Sequence, residues 1–174
     1  MPAFIQANTI LKDPPAVRVI TFIASGILTI PSNATACKVT VVGSGGGADS
    51  SSFFTGSGGG VAIKYLSNLT PGSTINVTVG IGGALGSAGN SSSIYSGTQT
   101  INTVSATGGA IGLSTITSGG TGSGGDINLS GQYGGTNTGY PIGSFGQYGR
   151  GGTSATVNST SGIVVFEFLG NLIF

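Results

Sequence analysis

Residues 75–79 alternate strictly: Ile75, Val77 and Val79 fall on one side, Asn76 and Thr78 on the other. That period of two is the mark of a half-buried strand. Thr70-Pro71-Gly72-Ser73 comes just before it, with proline and glycine in the order of a type II turn. Upstream again, Val61-Ala62-Ile63-Lys64-Tyr65-Leu66 is a second strand, expected to pair with 75–79 as a hairpin. Further runs rich in valine, isoleucine and phenylalanine cover 17–23, 27–30, 37–42, 101–104 and 163–168. No apolar pattern recurs every 3.6 residues, and few windows hold the residues that favour helix. The expected fold is all-β: one β-sandwich of jelly-roll type over 17–174, with 1–16 as a short N-terminal arm.

Between these runs lie glycine tracts with a different rhythm. Gly80, Gly83, Gly86 and Gly89 stand every third residue. The frame resumes at Gly119, Gly122, Gly125, Gly131 and Gly134, then at Gly143, Gly146, Gly149 and Gly152. A period of three belongs to the left-handed polyproline II helix, one edge of which would here carry no side chain. Collagen is excluded, because the Gly-X-Y register breaks and only 6 prolines are present. Two readings stay open. Glycine and serine stretches behave by default as flexible linkers, and ordering glycine costs more backbone entropy than ordering any other residue. Ordered packing as bundled polyglycine II helices requires neighbouring segments to satisfy one another's N–H and C=O groups. The kept frame favours the second. A β-solenoid would need a constant repeat of whole units, and none is found.

Composition narrows the function. Glycine supplies 35 of 174 residues, only 5% are charged and the net charge is +1, so neither nucleic acid nor an anionic membrane has a basic footprint to meet. Polarity comes from Ser, Thr, Asn and Gly, about half the chain. With 38% hydrophobic residues, the chain is expected to be ordered. The single cysteine, Cys37, cannot form an intramolecular disulfide and reads as a small buried hydrophobe. No apolar run is long enough to span a membrane, and the first residues lack the pattern of a signal peptide.

Glycine-rich look-alikes of ligand sites fail on chemistry. The run 38–48 mimics a dinucleotide-binding turn, but no helix follows it to meet a pyrophosphate, and no acid stands between 61 and 69 for a ribose. Gly119-Gly120-Thr121-Gly122-Ser123-Gly124 has glycine where a calcium-binding repeat needs aspartate. Histidine is absent, which removes Ser-His and Cys-His pairs and imidazole metal ligands. The acids are Asp13, Asp49, Asp126 and Glu167. Asp49 and Asp126 could in principle form a glycosidase pair, and Glu167, on a strand face with Val165, reads as a solvated or Lys/Arg-paired residue. The expectation is a protein without enzymatic activity, cofactor or metal. Binding candidates are the aromatics scattered through the tracts, Phe53, Phe54, Tyr133, Tyr140, Phe145 and Tyr148, with Arg150 beside them. Such residues on exposed loops anchor interfaces and stack on sugar faces. The alternative is that they fill gaps inside the glycine array; exposure is favoured most for Tyr140 and Tyr148.

Phe22-Ile23-Ala24-Ser25-Gly26-Ile27-Leu28-Thr29-Ile30-Pro31, then Cys37-Lys38-Val39-Thr40-Val41-Val42-Gly43 entering a glycine run, resembles the glycine-rich domain of bacteriophage tail fibre and receptor-binding proteins. Gly58-Gly59-Gly60-Val61-Ala62-Ile63-Lys64, Leu69-Thr70-Pro71-Gly72, Val77-Thr78-Val79-Gly80 and Ser161-Gly162-Ile163-Val164-Val165-Phe166-Glu167-Phe168 continue the pattern. The resemblance implies a virion protein of the tail fibre or tail tip. It would be an adhesin whose glycine-tract loops bind a host surface glycan or outer-membrane protein. The arm 1–16 would dock onto other virion proteins, and a homotrimer would fit a fibre. The glycine runs are shorter and more diluted with Ser, Thr and Ile than in those adhesins. A purely structural tail-tip, baseplate or capsid-decoration subunit is the second reading.

Overall fold

In the computed structural model, residues 18–51, 54–136, 147–153 and 159–168 are described. The apolar runs form strands where side chains alternate between core and outer face. Five of them, β1 (Arg18–Phe22), β3 (Cys37–Val42), β5 (Val61–Leu66), β10 (Ile127–Leu129) and β12 (Ile163–Phe168), build one sheet in the order β1-β12-β3-β5-β10. A second sheet runs β2-β6-β7-β8-β9, from β2 (Gly26–Thr29), β6 (Thr74–Thr78), β7 (Ser92–Ser96), β8 (Val104–Ala106) and β9 (Gly122–Ser123). Every strand pair is antiparallel. A two-stranded ribbon joins β4 (Phe54–Thr55) to β11 (Gly135–Thr136). The described residues contain strands and no helix, so the all-β sandwich expected from the alternation is the fold.

The two sheets close on one core. Val39, Val41, Ala62, Val164, Phe166 and Phe168 come from the first sheet; Leu28, Ile75, Val77, Ile94, Val104 and Ala106 come from the second. Phe166 is its largest wholly buried side chain. It meets Phe22 edge-on at 6.0 Å and stacks with Phe168 at 6.2 Å. Each such side chain contributes roughly 1.5–3 kcal/mol of hydrophobic stabilisation.

The turn at 70–73 forms as expected: Gly72 has φ +81° and the Ser73 N–H donates to the Thr70 carbonyl at 3.0 Å. The hairpin it was expected to close does not exist. β5 pairs with β3 and β10, whereas β6 pairs with β2 and β7 in the opposite sheet. Type II turns twist against the flanking strands of a hairpin, and here the connection crosses the end of the sandwich instead. Leu69, only 3% exposed, plugs that end, its N–H bonded to the Thr35 carbonyl. Facing strands and paired strands present the same alternation, so periodicity alone could not separate them. The strand expected at 101–104 starts instead at Val104, because Ser96 Oγ bonds both the N–H and the carbonyl of Ile101 and holds it in the preceding turn.

Beyond one end of the sandwich the strands continue as glycine segments. β3 runs into 43–48, β6 into 79–84 and β8 into 107–112; 56–60 leads into β5, 87–91 into β7 and 159–162 into β12. Segment 43–48 lies at the centre, and its bonds repeat every three residues. The N–H groups of Gly43 and Gly46 donate to Gly60 and Ser57, those of Ser44 and Gly47 to Asn90 and Ser87, and that of Gly45 to Thr160. The carbonyls of Ser44 and Gly47 accept from Gly109 and Gly112, those of Gly45 and Ala48 from Gly83 and Gly86, and that of Gly46 from Gly152. Six neighbours thus surround one segment at three residues per turn, the periodicity of polyproline II. Close approach explains the composition. A Cβ on Gly45, Gly46 or Gly47 would collide with the backbone of Arg150, Ala110 or Ala84, three different neighbours for three successive residues. The described parts of these tracts are ordered packing, and for them the linker reading is set aside; Gly143 and Gly146 of the frame lie outside the described residues.

The frame of threes is therefore a feature of bond partners more than of glycine positions. At the centre all three positions per turn must be small, as in Gly43-Ser44-Gly45-Gly46-Gly47-Ala48. At the periphery one position faces water and carries a side chain, as with Ile81 (70% exposed) between Gly80 and Gly82. Gly86, whose N–H still reaches the Ala48 carbonyl, marks the lattice's edge, with φ +73° in the turn where Ser87 N–H bonds the Ala84 carbonyl.

Candidate recognition surface

Segments that rise from the sheets must turn back at the far end of the glycine block, and those turns carry side chains again. Asp49 organises the first. Its Oδ1 accepts the Phe54 N–H at 2.8 Å, and its Oδ2 accepts from the N–H and hydroxyl of Ser51, the local bonding that makes aspartate a turn residue. The Asp49 N–H returns to the Phe54 carbonyl, which also lies against Gly112, so the next turn, 112–117, packs beside it. Thr117 and Gly134 exchange both backbone bonds, at 3.0 and 2.9 Å. That bridge sets Ile116 against Gly135, and Tyr133 stands on the facing segment one residue before Gly134. Leu113 is 47% exposed, Ile116 74% and Tyr133 67%. The Thr117 hydroxyl is buried without a hydrogen-bond partner. Leu85 stands in the turn beside Ser50 on the other side.

The expected binding residues divide. Phe54 reaches this end, half-buried in β4, and Tyr133 stands fully out on its rim. Phe53, Tyr140 and Phe145 lie outside the described residues. Tyr148 does not project as expected: it is half-buried against Val42, Val61 and Ile163, at the junction of block and sandwich, where an apolar ring gains more from a hydrophobic wall than from water. Arg150 is half-buried, its N–H and carbonyl tied to Thr160 and its Nε enclosed without a hydrogen bond. The two belong to the block's packing.

Leu85, Leu113 and Ile116 were not singled out from the sequence. Their signal was a lone aliphatic within Gly-Ser-Thr chain at the break of a glycine frame, which marks a turn. The buried serines also escaped notice. Ser57 Oγ donates to Ser118 and accepts from the Ala110 N–H at 2.7 Å; Ser44 Oγ lies 2.9 Å from the carbonyls of Ile81 and Asn90; Ser92 Oγ accepts the Gly80 N–H. Each hydroxyl serves a backbone group that the lattice leaves over.

Charge sits elsewhere. Lys38 and Glu167 pair at 2.5 Å across β3 and β12, as expected of a strand acid, and the bond from Glu167 raises the Lys38 pKa. Lys64 bonds Asp126 at 2.5 Å, and that bond, with the Tyr65 N–H, holds the Asp126 carboxyl below its ordinary value. Asp49 and Asp126 are thus at opposite ends of the run formed by 56–60 and β5, too far apart to flank one glycosidic bond. Burial pushes the Cys37 thiol up to about 12, so it is no nucleophile at neutral pH. Among the described residues no three of His, Cys, Asp or Glu come together as metal ligands. The look-alike dinucleotide turn, residues 43–48, is the buried centre of the lattice with every face occupied.

What the surface offers is an apolar rim of Leu113, Ile116 and Tyr133 on a support made of backbone. Comparison with curated proteins returns no match. A family model described as a glycine-rich domain matches residues 21–171, every strand from β2 to β12 and the end of β1, and the chain belongs to that glycine-rich domain family.

Proposed function

We propose that this chain is a non-enzymatic adhesin of a bacteriophage tail fibre or tail tip, binding a host surface glycan or outer-membrane protein through the turns at the far end of its glycine block. The observation that carries the reading is the rim: Ile116, 74% exposed, and Tyr133, 67% exposed, stand on the two segments joined by the Thr117–Gly134 bridge. An exposed aromatic face is the group that stacks on a sugar ring. Support comes also from the resemblance to tail-fibre domains, which runs in the same element order as the sandwich and block. Stiffness suits the role, since a turn held by backbone bonds loses little entropy on binding.

The test is competition. Purified protein should bind host cells and block phage adsorption, and Tyr133→Ala with Ile116→Ser should abolish both without changing the melting temperature. Both residues are exposed, so the substitutions leave the core untouched. Undiminished adsorption by the double variant refutes the reading. If instead the protein never binds cells and the double variant blocks particle assembly, the turns contact other virion subunits and the chain is a structural component.

A further inference from the structure

β3 and β5 run side by side until Cys37 faces Leu66, at the end of the sandwich away from the glycine block. Glu167, Lys38 and Tyr65 stand in one row there, on the outer face of β12, β3 and β5. Two residues further, where the same face runs out, come Ala36 and Ser67, both small and both exposed. Long side chains followed by short ones leave a hollow, a cavity of about 480 Å³ floored by the Cys37–Leu66 pair. That volume is within the range of small-ligand sites, about 300–1,000 Å³. The rim is fixed by backbone. The Leu69 N–H bonds the Thr35 carbonyl at 2.9 Å, Asn68 turns the chain with φ 56°, and the Tyr65 N–H is held by Asp126 at 2.8 Å.

The walls specify the ligand. The Tyr65 ring, 61% exposed, presents a flat apolar face. Lys38 and Glu167 neutralise each other through a contact from Nζ to Oε2, which leaves two ammonium protons and the lone pairs of the other carboxylate oxygen for a ligand. An ion bound here would have to compete with that pair, an anion meeting Glu167 and a cation Lys38. A neutral ligand with a hydroxyl donor and a hydroxyl acceptor side by side bonds both charges and leaves the pair intact. Hydrogen bonds to charged groups are also the stronger kind. Neighbouring hydroxyls on a pyranose ring are such a group, and the C–H face of the same ring stacks on an aromatic side chain.

We propose that this hollow binds a neutral sugar ring, stacked on Tyr65 with two adjacent hydroxyls shared between Lys38 and Glu167. Ala36 and Ser67 leave the space that the ring fills, and the fixed rim loses little entropy on binding. The site does not rest on the adhesin reading. It lies at the other end of the molecule from Ile116 and Tyr133, so either site can fail without the other.

Amide NMR of the whole chain, titrated with galactose, glucose and N-acetylglucosamine into the millimolar range, tests it. At least one of the three is expected to shift the amides of residues 36–38 and 65–68 saturably, and to do so equally at high salt, because the ligand carries no charge. Tyr65→Ala should weaken binding about tenfold or more, whereas Tyr65→Phe should retain it. Ala36→Leu, an exposed residue enlarged into the hollow, should abolish it. Tyr133→Ala with Ile116→Ser should leave it unchanged. Circular dichroism confirms that each variant is folded. No saturable shift from any of the sugars, or shifts confined to the far end of the block, would overturn the proposal. So would binding indifferent to Tyr65→Ala or Ala36→Leu, or equal shifts from sodium acetate, which would make the hollow an anion site.

Discussion

Replacing Gly46 by alanine adds one methyl group at the centre of the block. Besides colliding with the Ala110 carbonyl oxygen, that Cβ would stand 2.5 Å from its carbonyl carbon and 2.8 Å from the Gly109 oxygen. No rotamer relieves this, because both sides of the clash are backbone. Segment 107–112 must move off by about an ångström, and overpacking of that kind costs roughly 1–3 kcal/mol. The shift stretches the bonds from Gly109 to Ser44 and from Gly112 to Gly47, and each buried backbone group left unpaired adds about 1–3 kcal/mol. A destabilisation near 4 kcal/mol follows, a large part of the 5–15 kcal/mol that holds a domain together. Gly86→Ala is the control. A Cβ there would make only an ordinary contact with Ser50 at 3.8 Å, and with φ +73° its cost is backbone strain of about 1 kcal/mol. Urea unfolding of both variants measures the difference. In a flexible tract, glycine to alanine would be neutral or would stabilise by about 0.4–1 kcal/mol, through the entropy of the unfolded chain. A Gly46→Ala protein as stable as the wild type would therefore refute the lattice.

Other outcomes follow from the same contacts. Ser57→Ala should cost about 2 kcal/mol by urea titration, since it strands the Ala110 N–H and the Ser118 carbonyl. Phe166→Ala, emptying the middle of the core, should cost about 3–5 kcal/mol. Stability should be level from about pH 5 to pH 9, because the chain has no histidine. Above pH 9 the thiol of Cys37 ionises in the unfolded chain while burial keeps it protonated in the folded one, so stability should fall by up to ~1.4 kcal/mol per pH unit, a slope that Cys37→Ala removes. Lys38, its pKa raised by Glu167, loses its contribution in the same alkaline direction, whereas Asp126, its pKa lowered by Lys64, loses its own only in acid below the ordinary carboxylate range. In native protein at neutral pH, Cys37 should resist thiol reagents that modify it at once in urea.

How far the chain could be read follows from what sets each element. β3, β5 and β12 were legible because their apolar residues need no partner to betray a strand. β7, Ser92–Ser96, was not: of its residues only Ile94 is an apolar side chain in the core, and Ser92 faces in because the Gly80 N–H needs its hydroxyl. β9, β10 and β11, of two or three residues each, exist through their neighbours. Period three was visible in the chain, yet the most glycine-dense runs, 43–48 and 56–60, showed no such frame, because a segment covered on all sides has no face left to mark. Tyr148 misled for a related reason. A lone aromatic among glycines looks alike on a rim and against a wall, and only the position of Val42, Val61 and Ile163 decides.

A sheet yields to force or to invasion at its border, one strand peeling while the others hold. The filament 43–48 has no border to start from, since its bonds leave it in every radial direction toward chain running both ways. Pulling it free means breaking all of those contacts in one event. A support of this kind resists shear from any side and offers no strand for a foreign chain to copy, and because its bonds are made by backbone and a few serines within it, the turns above it can change their residues without loosening what carries them.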